Sequence, residues 1–139
     1  MQPSIGSVLR LPSYAPAPLH SLPDLARSLN VAHVFVKDES SLFGLPSFKI
    51  LGASWAIHRA LAVKTDLPLT TTLDEVGKAA RAKGVDLVTC SERNWGRAVA
   101  RMGKILGAPV TVLISENMDE STKEKIASEG AKIVFNPGK

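Results

Sequence analysis

The chain has 139 residues, of which 45% are hydrophobic and 22% charged. That length is one domain's worth of chain with enough apolar content for a real core, and the balance excludes an intrinsically disordered segment. The net charge of +4 comes from 17 basic and 13 acidic residues spread along the sequence, with few aromatics among them, which argues against a nucleic-acid surface.

No apolar run approaches the length of a membrane span, and the N-terminus lacks a basic-then-apolar leader pattern, so no membrane partner is expected. The single cysteine, Cys90, rules out an internal disulfide and fits a reducing, cytoplasmic setting.

Five of the nine prolines fall within the first 23 residues, so the chain is expected to open as an extended arm lying on the body of the protein or on a partner. Ser21 is placed to cap a short helix with Pro23 in its first turn, running to about Leu29. Val34-Phe35-Val36 reads as a short buried strand. After Lys49, Leu51, Ile57 and Leu61 are spaced among Ala53, Ala56 and Ala60, a helix apolar on most sides and therefore expected to be buried. His58 within it reads as a packing or surface histidine. Neither His20 nor His33 stands at ligand spacing to it, so no metal site is expected.

Pro68 to Thr71 is a linker. Thr72 then caps a helix, with Glu75 completing a capping box; Leu73, Val76 and Ala80 form its inner face and Gly84 stops it. From Val85 the pattern alternates regularly. Val85 to Cys90 is a strand, with Cys90 a small buried side chain at its end. Trp95 to Leu106 is a helix whose inner face is Ala98, Val99, Met102, Ile105 and Leu106, closed by Gly107. Arg97, Arg101 and Lys104 share another face of it and read as a solvated stripe. Val110 to Ile114 is apolar enough for a parallel strand buried on both sides. Asp119 or Ser121 caps a helix ending at Gly130, and Lys132 to Phe135 is a third strand.

Strand, helix, strand, helix and strand with short loops make an α/β protein containing a parallel three-layer βαβαβ unit over about 85–135. The chain is read as a single domain, 1–139, with an N-terminal arm, short strand and lysine-bearing helix over 1–70 and the βαβαβ subdomain over 71–139. Ligands of such sheets sit beyond the carboxyl ends of the strands, which places the loop Cys90 to Gly96 at a binding position. The helix that follows offers its N-terminal amides to an anion. Few residues follow the third strand, so the sheet edge is expected to be covered by a second copy or a partner chain.

The run Ser47-Phe48-Lys49-Ile50-Leu51-Gly52-Ala53 puts one lysine where a loop meets a helix, beside an aromatic and ahead of an apolar stretch. If apolar surroundings desolvate it, the ammonium form is disfavoured and the amine becomes a usable nucleophile. Two neighbouring runs sharpen this. Val36-Lys37-Asp38-Glu39-Ser40 and Phe43-Gly44-Leu45-Pro46 precede the lysine, and Thr89-Cys90-Ser91-Glu92-Arg93-Asn94-Trp95-Gly96-Arg97-Ala98-Val99-Ala100 follows it at a distance.

In order and spacing these runs resemble the fold-type II pyridoxal-phosphate enzymes, and within them the diaminopropionate ammonia-lyase branch. The likeness extends from Tyr14 to Val134. It implies pyridoxal 5'-phosphate as cofactor and a small amino acid or other small acidic metabolite as ligand. Lys49 would hold the cofactor's aldehyde carbon and act as a base. Asn94 would bond its ring hydroxyl oxygen. The loop carrying Ser91, Arg93, Trp95 and Gly96 would approach the substrate carboxylate, and Glu92 would be a second acid/base group.

The chain departs from the family pattern in three ways. The family's glycine between the acid and the asparagine is Arg93 here; a glycine there allows close approach or positive φ. Leu42 stands where the family usually has arginine. The family is also far longer, with its glycine-rich phosphate cradle and pyridine-nitrogen partner in the part this chain does not match; no GxGxxG or Walker loop exists here. Three functions stay open: an ammonia-lyase acting alone or in a larger assembly, a truncated relative repurposed as a cofactor-free isomerase, cyclase or metabolite binder, and a non-catalytic subunit.

Overall fold

The computed structural model describes residues 14–91 and 93–136; most of the expected proline arm, and Glu92, lie outside them. β1 (Leu19–Ser21) and β2 (Phe35–Lys37) form an antiparallel ribbon around α1 (Pro23–Ser28). Two expectations change here. Ser21 is not a helix cap: it ends β1 opposite Phe35, and Pro23 opens α1 by itself, its missing N–H being one the helix would leave unpaired anyway. The strand near Val34 is one residue later than expected and exposed throughout, because the ribbon turns neither face into the core.

α2 (Lys49–Thr65) buries Ile50, Ala53, Ile57, Leu61 and Ala62 on one face. Its other face, with Ala56, Ala60 and Val63, is exposed, so the helix is amphipathic rather than buried on most sides. Alanine is tolerated on either face, which is why composition alone overstated the burial. His58 is 1% exposed and donates through Nε2 to the Thr71 carbonyl at 3.0 Å, tying α2 to the start of α3 (Leu73–Ala82). The capping box is present: Thr72 Oγ1 accepts from Glu75 N at 3.3 Å, and Glu75 Oε2 accepts from Thr72 N at 3.1 Å.

The parallel sheet runs β3 (Leu87–Cys90), β4 (Val110–Ser115), β5 (Lys132–Asn136), with β4 in the middle. Leu87 pairs with Val110, and Val112 with Ile133. β3 starts two residues later than expected because Val85 N donates to Ala80 O, closing α3, and the ladder begins only at Leu87 N. α4 (Asn94–Leu106) and α5 (Glu120–Ala127) carry the chain between strands. Asp119, rather than Ser121, caps α5 by accepting from Thr122 N at 2.9 Å.

Three layers result. Val110, Val112 and Ile114 of β4 face Ala98, Val99, Met102 and Leu106 of α4, and α2 and α3 stack in turn on α4. Each fully buried side chain such as Ile50, Leu61 or Met102 contributes about 1.5–3 kcal/mol. The opposite sheet face is less covered. Thr111, Leu113 and Ser115 are half-buried, and Val88 and Cys90 are exposed. Neither the two-sided burial expected of the middle strand nor the buried cysteine is found, because strand alternation sends both Val88 and Cys90 to that outer face. Among the described residues no helix is long and apolar enough to cross a membrane.

Candidate active site

The site is built on the first turns of α2 and α4. Lys49 is the first residue of α2, and its N–H is capped by Ser47 Oγ at 3.2 Å. Asn94 is the first residue of α4. The two turns adjoin: a Cβ built on Gly52 would lie 4.0 Å from Trp95 Cζ3, so the indole rests on the glycine one turn beyond Lys49. Trp95 is also held from the sheet, donating from Nε1 to Thr89 Oγ1 at 3.1 Å, with 37% of its surface still open. Lys49 and Asn94 thus open two helices whose first turns meet through Trp95 and Gly52.

The loop joining β3 to α4 is shaped by Ser91. Its N–H donates to Leu113 O at 3.1 Å, prolonging the sheet ladder. Its Oγ accepts from Gly96 N at 2.9 Å and from Arg93 N at 3.3 Å, so a side chain of the protein already serves the amide that an anion would seek at this helix end. Gly96 is required by packing, since a Cβ there would come within 3.0 Å of Val112 Cγ1 and 3.1 Å of Ser91 Cβ. Arg93 has φ −155°, outside the left-handed region that favours glycine, so no positive φ calls for a glycine there. Its guanidinium and the Asn94 amide are exposed. Glu92 lies outside the described residues.

The desolvated setting expected for Lys49 is not supplied by these residues. Lys49 is exposed, with Nζ 4.6 Å above the centroid of the Phe48 ring, itself 60% exposed. A solvated cation on an aromatic face keeps its water. The solvated stripe expected on α4 is also corrected: Arg97 and Arg101 turn inward to Glu129, which is 4% exposed. That cluster was hidden because Glu129 lies just beyond α5, 32 residues from Arg97 and 28 from Arg101. The local hints were a four-residue arginine spacing and an acid just before Gly130.

A primary amine, a side-chain amide and an aromatic ring on adjoining first turns fit the aldehyde and ring of a pyridoxal cofactor. The phosphate end finds less. Among the described residues Gly44, Gly84, Gly107 and Gly130 serve left-handed turns, and Gly77, Gly96 and Gly103 serve close packing. None of these glycines forms a phosphate-cradling loop.

Comparisons with known proteins point to one family. Residues 11–139 match the family described as pyridoxal-phosphate dependent enzyme. The chain is 33% identical over 125 residues to the diaminopropionate ammonia-lyase of Escherichia coli, covering 90% of this chain and 31% of that protein. The Salmonella typhimurium diaminopropionate ammonia-lyase is 33% identical over 127 residues, covering 88% and 31%. The crystal structure of the Escherichia coli enzyme in apo form superposes with a TM-score of 0.87 at 31% identity, over 97% of this chain and 37% of that one. The chain thus spans about a third of the length of the relatives it matches.

Proposed function

The chain belongs to the pyridoxal-phosphate dependent enzymes, and from that premise we propose that it carries the amine-bearing part of an ammonia-lyase acting on a small amino acid such as 2,3-diaminopropionate. The observation that carries the reading is the placement of Lys49 and Asn94 on adjoining helix starts, joined through Trp95 and Gly52.

Lys49 Nζ would hold the cofactor's aldehyde carbon, and Asn94 would bond its ring hydroxyl oxygen. The bound cofactor supplies an electron sink for negative charge at the α-carbon. Lys49 Nζ, when not engaged by the cofactor, would serve as the base that takes the substrate's α-proton. Expulsion of the β-amino group, with a proton delivered to it, gives ammonia; Glu92 is the candidate donor. Arg93, exposed at the mouth of the loop, would attract the substrate carboxylate, while the indole of Trp95 would shield one side of the reacting carbon from water.

A second reading concerns assembly. Lys49 is exposed, Val88 is 65% exposed on the outer sheet face, and the chain spans about a third of its relatives. These favour a site closed by residues beyond those described, which would supply the phosphate grip and the desolvation. Titration of the purified protein with pyridoxal 5'-phosphate, followed by ammonia release from 2,3-diaminopropionate, tests both. A visible absorption band lost in Lys49→Ala supports the cofactor role. A band without ammonia release, restored by adding the remaining two-thirds of a full-length relative, supports completion by a second chain. Ammonia release that persists without the cofactor would instead favour the repurposed enzyme.

A further inference from the structure

Glu129 is the only carboxylate buried among the described residues. It lies just beyond α5 and accepts from two arginines of α4: from Arg97 Nε at 3.1 Å, and from Arg101 through Nε and through Nη2, the latter at 2.9 Å. Arg101 reaches further. Its Nη1 donates to the carbonyl of Phe43 at 2.9 Å, 58 residues earlier in the chain.

Phe43 and Gly44 are consecutive left-handed residues, with φ +54° and +68°. The turn is closed by Leu45 N donating to Leu42 O at 2.9 Å. A side chain with a Cβ is a poor occupant of that conformation, so its surroundings must hold it there. Phe43 is held at both ends: its ring packs on Tyr14 with centroids 5.6 Å apart, and its carbonyl is fixed by Arg101. The guanidinium also lies against Gly44, where a Cβ would stand 3.5 Å from Nη1. From the turn, hydrogen bonds lead to the backbone of Lys49 at the start of α2. Ser47 N donates to Leu45 O at 2.7 Å, and Lys49 N donates to Ser47 Oγ at 3.2 Å.

We infer that Arg101 and Glu129 are positioning residues for Lys49: the buried carboxylate orients the guanidinium, the guanidinium fixes the left-handed turn at Phe43 and Gly44, and the turn sets where α2 begins. Only arginine has donors enough, in a rigid fork, to serve both acceptors at once. The inference rests on reading Lys49 as the working amine.

Amide hydrogen exchange tests it without the cofactor. In Arg101→Lys, exchange at Gly44, Leu45, Ser47 and Lys49 should quicken at least tenfold while Val76 and Ala80 of α3 keep their rates. Arg97→Lys, which loses a contact to Glu129 but none to Phe43, should leave the four amides alone. Glu129→Gln keeps the shape and an acceptor, and should quicken the same four about tenfold even if Arg101→Lys does not fold. Unchanged rates there in Glu129→Gln, or equal quickening in Arg97→Lys, would overturn the inference. In a final arm, Arg101→Lys should bind pyridoxal 5'-phosphate about tenfold more weakly than the unsubstituted protein. If the unsubstituted protein gives no visible band, the functional reading fails, while the exchange result decides the positioning role on its own.

Discussion

The indole of Trp95 lies over the bare backbone of Gly52, close enough that a Cβ on the glycine would touch Cζ3 at 4.0 Å. That is ordinary van der Waals contact, so alanine fits. Gly52 is an exposed position in the first half of α2, where glycine loses more backbone freedom on folding than alanine. Gly52→Ala should therefore raise stability by about 0.5–1 kcal/mol, read as a higher urea midpoint at unchanged slope. A larger residue such as phenylalanine would displace the indole and shift its emission.

Gly103 gives the opposite sign. A Cβ there would fall 2.0 Å from Val110 Cγ2 and 3.0 Å from the Ala108 carbonyl, a distance that packed atoms do not adopt. Gly103→Ala must displace the Val110 side chain or move α4 off the sheet. It should cost about 1–3 kcal/mol, the usual range for overpacking. The same substitution, one turn from the site and in the core, thus separates helix propensity from packing by its sign.

Ser91 is the hydroxyl that caps α4, accepting from Gly96 N and Arg93 N. Ser91→Ala should lower stability by about 1 kcal/mol. It also leaves the Gly96 amide without its acceptor, so inorganic phosphate should protect the variant against heat more than it protects the parent. Equal protection would mean that the amide is not reachable from solvent.

The acid limb of the stability curve should carry the signature of Glu129. Burial pushes its carboxyl upward, but hydrogen bonds and charge from Arg101, then Arg97, more than offset this and hold it below its ordinary 4.5. A carboxyl lowered by folding contributes stability above its unfolded value, which is lost as pH falls through the folded one. Stability should thus decline below about pH 4.5. Asp38, Glu75 and Asp119, each lowered by hydrogen bonds at Ser40, Thr72 and Thr122 respectively, add to the decline. Glu129→Gln should be less stable at neutral pH and show a shallower acid limb in urea melts at a series of pH values.

What was legible in the sequence was local. The Thr72–Glu75 box, the Gly84 and Gly107 stops and the alternation from β3 to β5 each depend on residues a few positions apart, and the structure bears them out. Lys49 and Asn94 were legible as motif members, and the fold sets both on helix starts. What escaped depends on distant partners. Arg101 looked solvated because neither Glu129 nor the Phe43 carbonyl is near it in sequence. Cys90 looked buried because an apolar strand does not reveal which of its faces is covered. Lys49 looked desolvated because the apolar residues after it face the other way, into the core.

The central claim is that Lys49, among all the lysines, is the amine that takes the cofactor. Incubation with pyridoxal 5'-phosphate, reduction with borohydride and peptide mapping tests it most directly. A single labelled peptide containing Lys49 is expected, at cofactor concentrations that leave the other lysines unmarked. Label scattered over exposed lysines such as Lys64, Lys78 and Lys104 in similar yield would contradict it.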